Sequence, residues 1–162
     1  MNSLKLQLDE FFLTKMIVVW HPPARPMQVT SEFSFGYEVE RHKTDTNKFR
    51  FSFTMRAKPK QQKSPAGYEI ECNILGLFSF VEGTTEEEMQ QLIRINGSTV
   101  LYGILRGQIA TLTGSFPGGK FTLPTVMMHE IVQVVEAQKA EQAKKSKDAY
   151  AAEKKHPPVA AV

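Results

Sequence analysis

Residues 114–120, which read Gly-Ser-Phe-Pro-Gly-Gly-Lys, have the glycine and lysine spacing of a phosphate-binding loop. The next position in such a loop is a Ser or Thr whose hydroxyl binds Mg²⁺, and here it is Phe121. The flanking patterns are also reversed: residues at helical spacing precede the glycines and an extended segment follows, whereas a phosphate cradle needs a strand and then a helix. The sequence therefore predicts a turn here and no nucleotide site.

The other residues that could act in catalysis or hold a metal are scattered. His129 and Glu130 are neighbours, but the second histidine that a helical zinc site needs four residues later is absent. Glu86, Glu87 and Glu88 open a predicted helix, where their charges favour the positive end of the helix dipole. The sequence has no Gly-x-Ser-x-Gly elbow and no dinucleotide-binding fingerprint. We therefore expect a protein that is not an enzyme, with no catalytic residue, no metal site and no cofactor.

Cys72 is the single cysteine of the 162-residue chain, so neither an internal disulfide nor a cysteine-based metal site can form. Its position in an alternating strand pattern predicts a small core or interface residue. Apolar residues make up 41% of the chain and charged residues 23%, which is typical of a folded domain of ordinary size.

Charge and hydropathy bear on location and partners. Asp9 and Glu10 lie where a secretion signal would have its apolar centre, and the apolar stretch 16–20 is too short to cross a bilayer. The net charge is +3, and residues 136–162 contain six lysines against four acids, which leaves the preceding part close to neutral. We expect a cytoplasmic protein that neither enters a membrane nor binds nucleic acid.

Four stretches of alternating apolar and polar residues predict β-strands. Residues 1–20 are interpreted as one long strand with a bulge or bend at Asp9, and the prolines that follow predict an extended crossover loop. The next strands are predicted over 32–40, 47–57 and 68–81. The last seven residues of the fourth strand are apolar on both faces, so we expect both faces to be covered.

Helices follow the strands. Thr85 and Glu88 form a capping box at the start of the first helix, and Asn96 and Gly97 are expected to end it. Ser98 is then in place to cap a second helix.

A last helix is expected from about residue 125. Its apolar stripe is predicted to contain Met127, Met128, Ile131, Val134 and Val135. The order of elements predicts an α+β fold, a four-stranded antiparallel sheet with helices packed on one face. The chain is expected to divide into a domain of residues 1–135 and a basic, helical or frayed tail of residues 136–162.

The stretch from residue 68 to residue 131 resembles the SecB family of export chaperones. Four motifs carry the resemblance: an apolar strand that ends in Phe-Ser before a glycine (77–83, LFSFVEG), a small polar break (95–97, ING), a helix with an aromatic residue and an arginine (101–109, LYGILRGQI) and the start of the final helix (123–128, LPTVMM). The earlier strands fit the family's order too, so the resemblance covers most of residues 4–135.

The resemblance implies a tetramer, built as a dimer of dimers, that binds unfolded or precursor polypeptides in long apolar grooves. Residues 102–106 keep the arginine of the family's Phe-Pro-Tyr-x-Arg motif without its proline. The family's export members carry a strongly acidic surface suited to docking on the SecA motor, and the basic tail of this chain argues against SecA as a partner. Protein export, service to a toxin–antitoxin pair and general holding of unfolded chains remain open as roles.

The chain contains eleven phenylalanines and seven methionines, which is a large number of aromatic and flexible apolar side chains for its length. Methionine-rich surfaces accept many client sequences. We expect the core to contain Phe49, Phe51 and Phe53. We expect the client groove to be lined, together with the proline-rich crossover, by Phe78, Phe80, Met127, Met128 and Ile131. Cys72 and Ile74, on the alternate face of their strand, are expected at the subunit interface.

A second class of function is also open. In a small-ligand or lipid-binding domain, a curved antiparallel sheet wraps a long helix around a closed apolar pocket. A tetramer would favour the chaperone, and a monomer with co-purified lipid would favour the pocket.

Overall fold

A four-stranded antiparallel sheet carries the fold, with helices packed on one of its faces, which confirms the predicted α+β class. The computed structural model describes the backbone of residues 4–25, 27–60 and 65–155, and the side chains of these ranges up to residue 147. The strands are β1 (Leu6–His21), β2 (Ser31–Arg41), β3 (Lys48–Pro59) and β4 (Gly67–Phe80). The helices are α1 (Glu86–Leu92), α2 (Ser98–Thr113) and α3 (Met128–Lys155), with one π-helical turn (Ile93–Gly97) between the first two.

The sheet has the strand order β1-β4-β3-β2, with every neighbouring pair antiparallel. Strands β2, β3 and β4 form a meander, and β1 joins the far side of it next to β4. The crossover from β1 to β2 begins with Pro22 and Pro23, which lack the N–H group that a strand ladder requires. In this strand order β1 lies at one edge of the sheet and β2 at the other, and the crossover connects the two edges.

Two bulges interrupt the pairing of β1 with β4, one at Asp9 and one at Thr14. The first confirms the bulge predicted from the sequence. The second has no glycine, proline or charge pair to mark it, and the hydroxyl of Thr14 donates to the backbone carbonyl of Asn73 at 3.2 Å. Each bulge moves the following residues to the other face of the strand.

The core lies between the sheet and the helices. Phe49, Phe51 and Phe53 are at most 2% exposed, which confirms their assignment to the core. The rings of Phe51 and Phe78 pack edge to face with centroids 6.3 Å apart. The opposite face of the sheet, named the open face below, carries half-exposed side chains of β4: Glu69, Glu71, Asn73, Leu75, Leu77 and Ser79.

The capping box at the start of α1 is confirmed. Thr85 accepts a hydrogen bond from the backbone N–H of Glu88, and the carboxylate of Glu88 accepts one from the backbone of Thr85. The last helix begins at Met128, three residues later than expected.

The break expected at residues 96–97 is wrong. Gly97 has helical angles (φ −58°, ψ −48°), and the chain passes through the π-helical turn directly into α2. Gly97 and Ser98 are buried, and this packing outweighs the weak helix propensity of glycine. Ser98 is therefore not a cap, and within the described ranges its buried hydroxyl has no hydrogen-bond partner.

Helix α3 buries Met128, Val132 and Val135. Met127 and Val134, which the predicted stripe includes, are 60% and 54% exposed. The stripe is wrong at these two positions, because the helix meets the sheet along residues spaced four and three apart that begin at Met128.

Past its buried part, α3 is fastened to the edge strand β2. The hydroxyl of Tyr37 donates to the carboxylate of Glu136, and the Nζ atom of Lys139 lies 4.1 Å from the centroid of the Tyr37 ring. Every side chain from residue 137 to residue 147 is exposed. The domain boundary predicted at residue 135 lies inside α3 and stays a prediction, and residues 156–162 of the predicted tail are outside the described residues.

Candidate functional site

Within the described residues, strand β1 exposes more large apolar side chains than any other element. Between 39% and 47% of each remains exposed, and the residues are Phe11, Phe12, Leu13, Ile17 and Val19. These five residues are named the β1 edge surface below. In the same part of the chain β1 pairs on one side only, with β4, so its outer N–H and C=O groups are available to an added strand.

The two bulges place the β1 edge surface on both faces of the sheet. Leu13 lies opposite Ile74 on the helix side, whereas Phe12 lies opposite Leu75 on the open face. An edge strand that is apolar on both faces offers hydrophobic contacts to an added strand whichever face of that strand carries its apolar side chains. Such an edge favours pairing with another polypeptide.

The apolar part of the open face is small and lies at the β1–β4 end. Phe12, Leu75 and Leu77 form its continuous patch on neighbouring positions of the two strands, whereas Ile17 and Val19 reach the same face further along β1, beside polar residues. Leu75 and Leu77 are half-exposed, and they belong to the stretch that the sequence predicts to be covered on both faces. The helices cover the other side of that stretch and leave these two leucines accessible.

The middle of the open face is polar. Glu71 lies between two cations, and both the Nζ atom of Lys15 and the Nη2 atom of Arg56 are 2.9 Å from its Oε1 atom. Their hydrogen bonds hold the pKa of this carboxyl below its usual range. In the neighbouring row Ser52 donates to the side-chain oxygen of Asn73 at 3.0 Å. These contacts satisfy the hydrogen-bonding groups of the polar residues within the sheet. The apolar part is therefore the portion of this face that favours contact with another chain.

The residues predicted to line a client groove fall into two groups. Phe78, Phe80 and Met128 are 1%, 6% and 7% exposed, buried between helices and sheet. Ile131 is half-buried, and Met127 is the most accessible of the five at 60%. A client could reach the three buried side chains only if the helices moved away from the sheet, so their part in a groove stays a prediction.

Cys72 and Ile74 are fully buried on the helix side of β4. The expectation that they lie on the face alternate to Phe78 and Phe80 is wrong, because residues an even number apart in a strand share a face. Burial raises the pKa of the Cys72 thiol to about 11. The two residues lie one strand in from the edge, behind β1, and their role at a subunit interface stays a prediction.

Sequence reasoning missed the β1 edge surface. The available signal is the run Phe11-Phe12-Leu13, because three large apolar residues in succession cannot all face one core. It also missed Met27 and Val29 in the crossover, which are 39% and 38% exposed.

The glycine-rich segment of residues 114–120 is a turn, as predicted. A Cβ atom on Gly118 would lie 2.5 Å from the Trp20 ring, so this glycine serves close packing. The hydroxyl of Tyr68 donates to the carbonyl of Gly119 at 2.5 Å. Among the residues that the structure describes, no group of three or more His, Cys, Asp or Glu side chains is placed to hold a metal ion. In the same ranges, none of the helices has the length and apolar character needed to cross a bilayer.

Comparisons with known proteins bear on the fold. No protein-family model matches the chain, and no curated protein sequence does. Among solved structures, the chain is similar to the Mycobacterium tuberculosis Rv1957 SecB-like chaperone in complex with a ChAD peptide from the Rv1956 HigA1 antitoxin. The TM-score is 0.61 at 20% identity, over 76% of this chain and 91% of that chain. This likeness shows that the chain has a SecB-like fold.

A protein of unknown function from Streptococcus agalactiae also aligns, over 75% of this chain and 98% of that chain. Its TM-score of 0.39 and identity of 10% are too low to carry a structural argument.

Proposed function

We propose that this chain is a SecB-like holdase, which binds non-native polypeptides and keeps them from aggregating. The observation that carries the proposal is the exposure of large apolar side chains on three separate segments of one SecB-like subunit. These segments are β1, the crossover (Met27 and Val29) and the region of α3 (Val134, with Met127 just before the helix). Several separated apolar contacts suit a long unfolded chain, which gains affinity by touching one protein at several places.

The client groove in this proposal lies on the helix side. Ile131 of α3 and Met127, just before the helix, contact the client together with the crossover. Phe78, Phe80 and Met128 form the packed layer beneath them. Methionine at the contact surface supports this placement, because its flexible thioether side chain adapts to many partner sequences.

The β1 edge surface supports self-association in the same proposal. Pairing of two β1 strands joins two sheets edge to edge and covers apolar residues on both faces at once. A second association of such dimers gives the dimer of dimers. Cys72 and Ile74 then stabilise the interface from behind β1 without touching the partner.

We propose a cytoplasmic protein that works on antitoxin segments or on other unfolded chains. The SecB-like neighbour was solved with an antitoxin peptide, which supports polypeptide clients of this kind. The exposed lysines of α3 make this helix basic (Lys139, Lys144, Lys145 and Lys147). Export members of the SecB family dock on SecA through an acidic surface, so a basic helix does not suit that docking. Handover to SecA is therefore not part of the proposal.

The lipid-binding alternative receives less support from the packing. A closed apolar pocket would lie between the helices and the sheet, and that space holds the fully buried side chains of Phe51, Phe53 and Leu105. Close-packed aromatic and aliphatic side chains leave little room for an enclosed acyl chain.

Light scattering of a chemically unfolded test protein, diluted into buffer with and without this protein, tests the proposal. We expect near-complete suppression of aggregation at stoichiometric amounts. Met127→Ser should weaken suppression, whereas Val100→Ser, which changes another exposed apolar residue to serine, should not. Aggregation at the unprotected rate in the presence of the wild-type protein would contradict the proposal.

A further inference from the structure

A cavity of about 640 Å³ lies at one end of the open face, beside the turn that joins β2 to β3. Its volume falls within the range of small-molecule and side-chain binding sites. The hairpin residues that border it are exposed, so the cavity opens to solvent along that side.

The floor of the cavity is apolar. Leu77 contributes its partly exposed side chain. Phe49 and Phe78 border the cavity from behind, because their side chains point to the helix side and their rings are buried in the core. Arg50 of β3 pairs with Leu77 of β4, so a guanidinium-bearing side chain lies directly beside the apolar floor.

The walls carry an excess of positive charge. The lining residues include four cations, Arg41, Lys43, Lys48 and Arg50, against the two carboxylates of Asp9 and Glu40. Arg41 is turned away, since its Nη1 atom lies 2.6 Å from the carboxylate of Glu86 on the helix side.

Three lining cations remain beside the two carboxylates, and two of them, Lys48 and Arg50, have only weak ion pairs. The Nζ atom of Lys48 is 3.5 Å from Asp45, and the Nη1 atom of Arg50 is 3.6 Å from Glu40, with both cationic side chains more than half exposed. Ion pairs of this kind contribute little in water, so the two cations are available to a stronger anionic partner. An apolar floor with cationic walls matches a ligand that combines an apolar group with a negative charge.

We propose that this cavity is a client subsite that takes an apolar side chain of an extended polypeptide together with the acidic residues that follow it. The proposal rests on the proposed function and names a class of client for it. A polypeptide suits the site better than a fatty acid, because the floor continues past Leu77 to Leu75 along the open face and does not enclose a chain. An extended strand can follow that track.

Fluorescence anisotropy with two labelled peptides tests the subsite. Both peptides carry the same leucine-centred apolar segment, and aspartates follow it in one peptide and lysines in the other. We expect about tenfold tighter binding of the aspartate peptide at low salt, with the difference shrinking as salt screens the charges.

The variants separate the cavity from the overall charge of the protein. The change Lys48→Glu should strongly reduce the preference, whereas Lys120→Glu, the same change of charge at the other end of the molecule, should keep it. Leu77→Ser should weaken both peptides by a similar factor and leave the preference in place. Circular dichroism of each variant checks that the fold is kept.

Equal binding of the two peptides, or equal losses in the cavity variant and in Lys120→Glu, would overturn the subsite. Stoichiometric binding of laurate that displaces the aspartate peptide would do the same and assign the cavity to a lipid. Aggregation of a client without acidic residues should still be suppressed by the cavity variant. Equal binding of the two peptides by the wild-type protein therefore rejects the subsite alone, whereas failure of the wild-type protein to suppress aggregation rejects the proposed function.

Discussion

The two edges of the sheet are built in opposite ways. At β2, helix α3 packs against the strand, and Tyr37 is bonded to Glu136 and covered by Lys139. Charged residues also alternate along this edge, among them the exposed side chains of Glu32 and Glu38. At β1, within the described residues, the edge carries the five large apolar side chains of the β1 edge surface.

The difference shows where another chain can be added. A covering helix and a row of charges are two of the devices by which proteins block pairing at a sheet edge. Both are present at β2, whereas β1 exposes five large apolar side chains along its edge. We infer that one edge is protected and that the other is kept for association.

The largest effect is expected at Cys72, one strand behind the β1 edge. Burial raises its pKa to about 11, so at pH 8 the thiolate fraction is about a hundredfold below that of an unfolded chain, and burial slows access further. A thiol reagent should therefore label the native protein at least about a hundredfold more slowly than the urea-unfolded protein. Immediate labelling of the native protein would mean that the packing around this side of β4 opens readily, which contradicts a stable sheet next to the β1 edge.

The next effect concerns association. Leu13→Lys places a charge within the β1 edge surface and should weaken self-association by about thirtyfold, since a buried unpaired charge costs a few kcal/mol. Size-exclusion chromatography with light scattering across a dilution series measures it. Ser34→Lys makes the same change of charge on β2 and should leave the mass unchanged. An equal effect of both substitutions would remove the distinction between the two edges.

A smaller effect is expected for Tyr37→Phe at the protected edge. The change removes the hydrogen bond to Glu136 and should lower the free energy of unfolding by about 1 kcal/mol, measured by urea denaturation. Wild-type stability in this variant would show that α3 is held to β2 by other contacts.

The same substitution has a consequence for pH. Burial and the bond to Glu136 raise the pKa of Tyr37 above its ordinary value of 10.0. The protonated form is favoured in the folded state, so its stabilisation is complete below pH 10 and is lost as the pH rises above it. Tyr37→Phe should reduce this alkaline loss without abolishing it, because burial also raises the pKa of Tyr68 and Tyr102.

The sequence predicts the strands well because their alternation is local. The pattern of β3, for example, places Phe49, Phe51 and Phe53 on one face without reference to any other element. The break expected at Gly97 is wrong for the opposite reason: the helix continues there because Gly97 and Ser98 are buried in tertiary packing that no local pattern contains.

The candidate site is less accessible to sequence reasoning. The stretch from Leu75 to Phe80 is apolar on both faces, and nothing local decides which face the helices cover. That choice follows from register, since Phe78 pairs with Phe49 of β3 and so joins the core, which leaves Leu75 and Leu77 on the open face. The availability of β1 likewise depends on strand order, because the crossover brings β4, and not β2, next to it.

The smallest effect is expected from Lys15, which links β1 to the open face. Its bond to Glu71, with that of Arg56, keeps the pKa of this carboxyl below its ordinary value of 4.5. The stabilisation is present above that value and is lost as the pH falls below it. Lys15→Met should therefore lower the unfolding midpoint slightly at pH 7 and by less at pH 3, in parallel thermal melts. A larger loss at pH 3 than at pH 7 would contradict this sign.

The most direct test of the chaperone function is a calorimetric titration with one disulfide-bonded test protein in two forms. The native form presents no apolar segments, and the reduced and alkylated form presents the same sequence unfolded. The account predicts saturable binding of the unfolded form, with a negative heat-capacity change from apolar burial, and no binding of the native form. Equal binding of the two forms, or binding of neither, would contradict it.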